Sequence, residues 1–416
     1  MKYLKSAVLL MAIQFVWVAN AFSRNDTIQL GRSFGLQLSG FVRGDYILDT
    51  RQGGEAVEGL FLFYPAKPVL DENGKDINAT PKSNLTSIAS RLSMRFFAPE
   101  VLRAKSSAYI EVDFTGTSNT NGIRMRHAYI NLAWDKSSLL IGRTWHPFSA
   151  SCMPNVLALN TGAPFWGFNR SDQLRFNFTP RQWALSAIVD FQSDYASLGP
   201  DGKSGVYMRN SIIPEFSIDI THKTNPLQTG VVGSVKTLKP RLFTQNQTAQ
   251  TYKTNETITT YSAQAYLQYK KANWLIKSQA MYLQNTTDAL MIGGYAVSSI
   301  NPATGHETYT PTQYMNYWVG VDYGKKWQVG CFAGYLHSLG TLDNVAGAWY
   351  AREKDMKYMY RIAPHLFYNI GNWQFALELE YTTSAYGTTV DNNHAKIINA
   401  KEVSNLRTNL AVMFWL

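Results

Sequence analysis

From residue 36 to the end of the chain, apolar and polar side chains alternate. On 36–48, Leu36, Leu38, Val42, Tyr46 and Leu48 share one parity. On 87–97 the set is Ile88, Leu92, Met94 and Phe96; on 103–114 it is Ala108, Ile110, Val112 and Phe114. A repeat of two puts successive side chains on opposite faces, so each run predicts a strand with one apolar face. Further runs cover 124–134, 138–144 (with weak alternation), 171–179, 183–191, 213–221, 227–239, 257–270, 274–283, 313–323, 327–337, 356–369, 373–382 and 403–416. The expected count is about sixteen strands.

The connections alternate in length. Short turns close 97–103, 134–138, 179–183 and their later counterparts. Long polar segments fall at about 49–86, 115–122, 145–170, 192–211, 240–255, 284–311, 338–355 and 383–402. A ladder with short turns on one side and long loops on the other predicts an all-β, transmembrane antiparallel β-barrel. The turns carry a second signal. Trp183, Trp274, Trp327 and Trp373 open strands directly after a short turn. Phe96, Trp134, Phe178, Tyr269, Tyr323, Tyr368 and Phe414 close the strands before such turns or the chain's end. Amphipathic rings prefer the headgroup level, so these form an aromatic girdle at one interface. A soluble sandwich would carry an apolar inner face and a charged outer one. Here one face is apolar in strand after strand, and closure leaves no unpaired edge in lipid.

The first residues, "MKYLKSAVLLMAIQFVWVANA", have Lys2 and Lys5, an apolar run from Ala7 to Val18, and a small-x-small end at Ala19-Asn20-Ala21. This is the form of a secretory signal, expected to cover 1–21 and to leave 22–416 as one barrel domain. Only two cysteines, Cys152 and Cys331, follow, so no disulfide framework is expected. The formal charge of +10 becomes +8 once Lys2 and Lys5 are removed (10 − 2). Basic residues are scattered singly through strands without arm, finger or helix-turn-helix pattern, which argues against nucleic acid. A basic lumen that attracts anions is the sharper reading.

Lumenal candidates come from the polar parity. The basic set is Arg43, Arg91, Arg95, Lys105, Arg175, Lys236, Lys277, Arg361 and Arg407. The acidic set is Asp45, Glu111, Asp113, Glu215, Asp219, Asp322, Glu378 and Glu380. Arg91 and Arg95 lie on one face of the second strand. With Arg43, Arg170 and Arg175 they make a basic ladder opposite the acids, suited to weak multi-site binding of anions. The bland alternative is that the arginines neutralise the acids and brace the wall. Arg124 and Arg126 share parity with the lipid-facing Ala128 and Ile130, where an arginine costs roughly 2–4 kcal/mol at the midplane. A rim position, a bulge or a subunit contact would each accommodate them. The small residues Ala104, Ser106 and Ala108 on the preceding strand favour subunit contact.

Residues 122–178 include "RHAY", "LLIGRTWHPF" and "NRSDQLRF", and the first strand opens "SGFVRGDYILDT". These runs resemble DcaP-like outer-membrane porins. The resemblance extends in layout over most of 22–416, with its motifs concentrated in about sixty residues. It implies a sixteen-stranded, trimeric channel for small, often anionic solutes such as carboxylates, with no cofactor. It places the chain in the outer membrane of a Gram-negative bacterium, against lipid and lipopolysaccharide. It also implies that the loop after the fifth strand, 145–170 here, folds inward as a constriction. Arg143 stands where that family has Gln before Thr-Trp, which leaves a shared pore contact at this position open, as does weak alternation over 139–144. The periplasmic coiled coil of some members has no counterpart in the dozen residues before the first strand.

Other chemistry is thin. His127, His146, His337 and His365 show no metal spacing. Gly53-Gly54 and Gly293-Gly294 read as loop punctuation. No G-x-S-x-G or paired nucleophile and base is present, so an enzyme is not expected. The chain is too short for a plugged, twenty-two-stranded transporter. The alternative to a channel is a receptor or adhesin acting through the long loops. The C-terminal "AVMFWL" keeps the alternation of a last barrel strand, with Leu416 after the aromatics.

Overall fold

The computed structural model describes residues 27–29, 34–116, 122–157 and 159–416; the expected signal at 1–21 lies outside the described residues. Sixteen antiparallel strands form a closed ring. β1 is Gly35–Asp49. β2 comes in two pieces, Lys82–Thr86 and Arg91–Val101, both paired to β1. β3 is Ala104–Asp113, β4 Arg124–Ala133, β5 Ser137–Trp145, β6 Arg170–Phe178, β7 Trp183–Phe191 and β8 Glu215–Lys223. β9 is Leu227–Leu238, β10 Ile258–Lys271, β11 Trp274–Gln284 and β12 Glu307–Gly324. β13 is Trp327–Thr341, β14 Met356–Ile370, β15 Trp373–Val390 and β16 Lys396–Trp415. The ring closes where β16 pairs with β1, with Phe41 opposite Trp415 and Asp49 opposite Arg407.

The outer parity is the apolar one. Leu38, Val42, Leu92, Ile130, Ile141, Leu174, Ile218, Val231, Ile362 and Leu410 are all exposed, while their strand neighbours are buried or partly buried. Such a belt on a closed ladder is a lipid-facing surface: lateral pairing satisfies the backbone and the side chains need no water. The expected girdle is present as ring pairs across the short-turn rim. Trp183 meets His222 at 4.6 Å, Trp274 meets Tyr323 at 4.9 Å, Trp327 meets Tyr368 at 4.3 Å, and Trp373 meets Phe414 at 4.9 Å.

Two expectations are corrected at the other rim. The expected loop 383–402 is mostly strand: β15 and β16 run far past the lipid belt and join over a short turn at 391–395. Other long connections carry structure of their own. Gly53–Ala56 pairs with Phe61–Pro65, Phe243–Gln245 with Thr251–Lys253, and Gly293–Ile300 with both Trp349–Arg352 and the upper part of β12.

The inner face differs from its expected polarity. Met281, Tyr314, Trp318, Phe332, Leu336, Met359 and Ala363 point inward and join one buried cluster with Phe61, Phe63, Phe148, Phe165, Trp166 and Phe168. A sixteen-stranded ring is too wide for its own wall side chains to fill. Here the connections supply the missing atoms. Gly334 shows how closely they approach, since a Cβ there would sit 2.5 Å from the Phe165 ring.

Polar ties hold these segments. Arg361, fully buried, donates to the carbonyls of Thr161 (2.7 Å), Ala163 (2.8 Å) and Leu62 (2.7 Å), and pairs with Glu380 at 3.1 Å. Glu378 accepts from the Leu157 amide (3.0 Å) and the Thr161 hydroxyl (2.5 Å). Asn155 donates to Asp322, Ser151 to Asp219, Asn316 to the Pro164 carbonyl and Lys277 to the Met153 carbonyl. Residues 146–169 are thus bonded to inward side chains of β1, β8, β11, β12, β14 and β15.

Three outcomes follow from this packing. Ile218→Arg, on the lipid face of β8 away from either rim, lowers barrel stability by roughly 2–4 kcal/mol, measured by guanidinium unfolding in lipid vesicles. Arg361→Ala removes the direct ion-pair partner of buried Glu380 and the donors of three buried carbonyls, and costs about 3–5 kcal/mol. Arg95→Ala costs below about 1 kcal/mol, because Arg95 lies over the Tyr109 ring without a carboxylate partner among the described residues. Equal losses for the two arginines in the same assay would refute this division.

Candidate functional site in the barrel interior

The lumenal arginines fall into two groups. Arg43, Arg361 and Arg407 are bound on all sides. Arg43 pairs with Asp45 on its own strand and donates to the Leu157 carbonyl at 2.8 Å. Arg407 forks onto Asp49 across the closing seam at 2.9 and 2.8 Å, and reaches the Leu60 carbonyl. These three are charge-neutralised by neighbouring carboxylates and fasten inward segments to the wall.

The second group lines β2 to β6. Arg91 lies over Phe41 at 5.2 Å and only 3.9 Å from Glu111. Arg175 donates to Gln173 and to the Trp145 carbonyl. Arg170 sits among three rings, with its guanidinium carbon 4.8 Å from Trp145, 5.2 Å from Phe168 and 5.1 Å from Tyr195, and it donates to the Tyr195 hydroxyl at 2.7 Å. Arg95 and Arg175 have no ion pair among the described residues. Buried nitrogens of Arg91 (Nε), Arg126 (Nη2) and Arg170 (Nη1) have no hydrogen-bond partner among the described residues.

Arg124 and Arg126 join this group, which overturns the subunit-contact expectation. Glu111 faces His127 and Val112 faces Met125, so Arg126 is the extra residue of a β-bulge. The bulge resets the parity: Met125 and Ile130 point outward, while both arginines point in. Arg126 pairs with Glu111 (2.5 Å) and Asp113 (2.7 Å), and Arg124 pairs with Asp113 (2.8 Å). Both acids are thereby shared. Five guanidinium groups on β2 to β6 (Arg91, Arg95, Arg124, Arg126, Arg170) face Glu111 and Asp113, a formal balance of +3 (5 − 2), while Arg175 has Asp190 and Asp219 of β7 and β8 as its acidic neighbours.

Arg143 lies elsewhere. It shares the outer parity of Leu139 and Ile141 and sits at the long-loop rim, paired with Asp172 (3.0 Å) and Asp194 (2.7 Å). There it lines a cavity of about 720 Å³ together with Phe61, Arg124, Tyr195 and Lys203. Arg124 and Tyr195 therefore connect the rim cavity to the arginine wall below.

Several residues of this interior lie outside the charged set read from the sequence. Trp145 and Tyr195 provide the faces on which Arg170 rests, and both lie in or beside segments without clean alternation. His365, on β14, bridges Asp322 (2.8 Å) and Glu378 (3.7 Å) beneath the docked loop. Its inward parity was readable, but the loop it supports was not.

No family model and no curated protein matches the chain. Solved structures do match in fold. The outer membrane channel DcaP of Acinetobacter baumannii superposes with a TM-score of 0.69 at 17% identity, over 94% of this chain and all of that one. An anion-selective porin from Comamonas acidovorans gives 0.55 at 11% identity over 92% of this chain and all of its own. A Salmonella typhi OmpF complex with daunomycin gives 0.52 at 10% identity over 94% and 100%. With a closed sixteen-stranded ring and an outer apolar belt, the chain has the β-barrel fold of the DcaP channel and the other porins it superposes on.

Proposed function

We propose that the chain is a porin, a passive diffusion channel for small hydrophilic solutes with a preference for anions such as carboxylates. The observation that carries this reading is the uneven lining. Docked loops crowd β9 to β16 and β1, and the arginines of β2 to β6 carry an excess of positive charge beside the rim cavity. On this reading 146–169 is the constriction, and the solute passes between it and the β2–β6 wall. Guanidinium groups in a narrow low-dielectric passage raise the local concentration of anions. Many weak contacts, spread from Lys203 and Arg124 down to Arg95, let the solute leave as readily as it enters. No step of covalent chemistry is involved.

The remaining features fit the same reading. Removal of 1–21 would deliver the chain across the inner membrane, leaving 22–416 as the barrel in contact with lipid and lipopolysaccharide. A homotrimer is the proposed assembly, as in the family the sequence resembles. A second reading, receptor or adhesin, draws on the folded layer above the barrel, where Tyr207, Tyr295 and Tyr350 pack with Leu238 and Ile258.

The deciding measurement is the reversal potential in a planar bilayer under a potassium chloride gradient. Stepwise conductance with anion preference is the expected result. Arg91→Ala with Arg95→Ala shifts that potential toward zero while the barrel stays folded. An unchanged potential in the double variant would remove the arginine wall from the mechanism, and absence of conductance in the parent chain would favour the receptor reading.

A further inference from the structure

On β7 and β8, beside Arg175 of β6, three potential ligand atoms converge. Asp190 on β7 and Glu215 on β8 are direct cross-strand partners on the inner face, and both are buried. Like charges placed opposite each other destabilise a sheet pair, more so away from water. His146, the first residue after β5, points its Nε2 at both. It lies 3.3 Å from Glu215 Oε1 and 3.7 Å from Asp190 Oδ2, and all three ligand atoms lie within 4.8 Å of one another.

These spacings are long for charge-assisted hydrogen bonds, which fall near 2.7–2.9 Å. They suit ligands of a common ion. Bonds of about 2.0–2.2 Å in a tetrahedral site set ligand atoms roughly 3.3–3.6 Å apart. One further observation points to an occupant: Asp190 Oδ2 and Glu215 Oε2 are buried and have no hydrogen-bond partner among the described residues. The local charge is also unbalanced. Lys236 is taken by Asp288 at 2.6 Å. With a neutral imidazole, the three carboxylates and one ammonium sum to −2 (1 − 3).

We propose that His146, Asp190 and Glu215 bind one divalent first-row transition-metal ion. An imidazole with two carboxylates is a borderline set that suits zinc, with manganese next. The ion offsets the facing carboxylates of Asp190 and Glu215 and staples the start of the 146–169 segment to β7 and β8. Coordination through Nε2 places the ring proton on Nδ1, which displaces the 3.3 Å bond from the Phe148 amide to that atom. Metal binding therefore reshapes the short helix Pro147–Ala150 and with it the base of the loop.

The test uses the full chain purified in detergent after removal of metal by a chelator. Zinc is titrated by calorimetry, and cobalt(II) serves as a spectroscopic probe. The expected result is one ion per chain, with cobalt absorption bands of a site that includes a nitrogen ligand. Asp190→Asn and His146→Ala each weaken zinc binding by about tenfold or more. His146 lies outside the strand ladder, so its variant keeps the barrel, which heat-dependent gel mobility verifies. Absence of stoichiometric binding in the parent chain overturns the site. Binding that survives unchanged in the folded His146→Ala variant does so too, because the ion then sits elsewhere.

Discussion

Arg361 is the fastener on which the interior depends. Its planar fork reaches two carbonyls of the segment after β5 and one of the hairpin after β1, from a position on β14 some 200 residues away in sequence. None of these carbonyls belongs to the barrel ladder, and a buried carbonyl needs a donor. One guanidinium supplies three such donors, and Glu380 balances its charge. A lysine would present one ammonium at the same place and could not span three acceptors set in a plane. Wherever these donors are missing, the buried carbonyls of 161–163 and Leu62 lose their partners together.

That tie has a consequence for the wall. A ring of sixteen strands leaves space that only folded connections can fill. They fill it on one side, so the inner faces of β11 to β14 become apolar where they meet Phe165, Trp166 and Phe61. The opposite side keeps its guanidinium groups on a wall that the rim cavity reaches through Arg124 and Tyr195. The asymmetry of charge is thus the complement of an asymmetry of packing. Arg43, Arg361 and Arg407 are fully paired where they meet the loops; those on the other wall share two acids or rest on aromatic rings, with Arg170 buried among Trp145, Phe168 and Tyr195.

Much of the barrel was legible because a period of two survives wherever a strand has lipid on one side. Ile130, Leu174 and Leu410 announce their faces without ambiguity, and the Trp-after-turn repeat marked one rim. Parity arguments failed where the period itself broke. Met125 between Arg124 and Arg126 contains the signal of a bulge, but a one-residue insertion is indistinguishable from a face change until Glu111 and His127 are seen paired. The run Phe61-Leu62-Phe63 was hidden within a polar connection. Its burial depends on Phe168 and Arg361, which are remote in sequence. Inward Trp318 and Phe332 were likewise unreadable, since the loop that covers them is contributed by another part of the chain.

The arginine wall illustrates why such residues can be placed from sequence while their roles cannot. Arg43, Arg91 and Arg407 have the same chemistry and the same inward parity. Arg407 has Asp49 opposite it across the seam, and Arg43 has Asp45 two residues along its own strand. Each is a closed, neutral pair. Arg91 faces Asp113 across β2 and β3, but that carboxylate is taken by Arg124 and Arg126 from β4. The bulge at Arg126 therefore does more than rescue two charges from lipid. By bringing two guanidinium groups onto acids that Arg91 would otherwise hold, it adds two positive charges to a stretch of wall that already carries a surplus. A single inserted residue on β4 thereby sets the electrostatic character of the face that the proposed solute path follows.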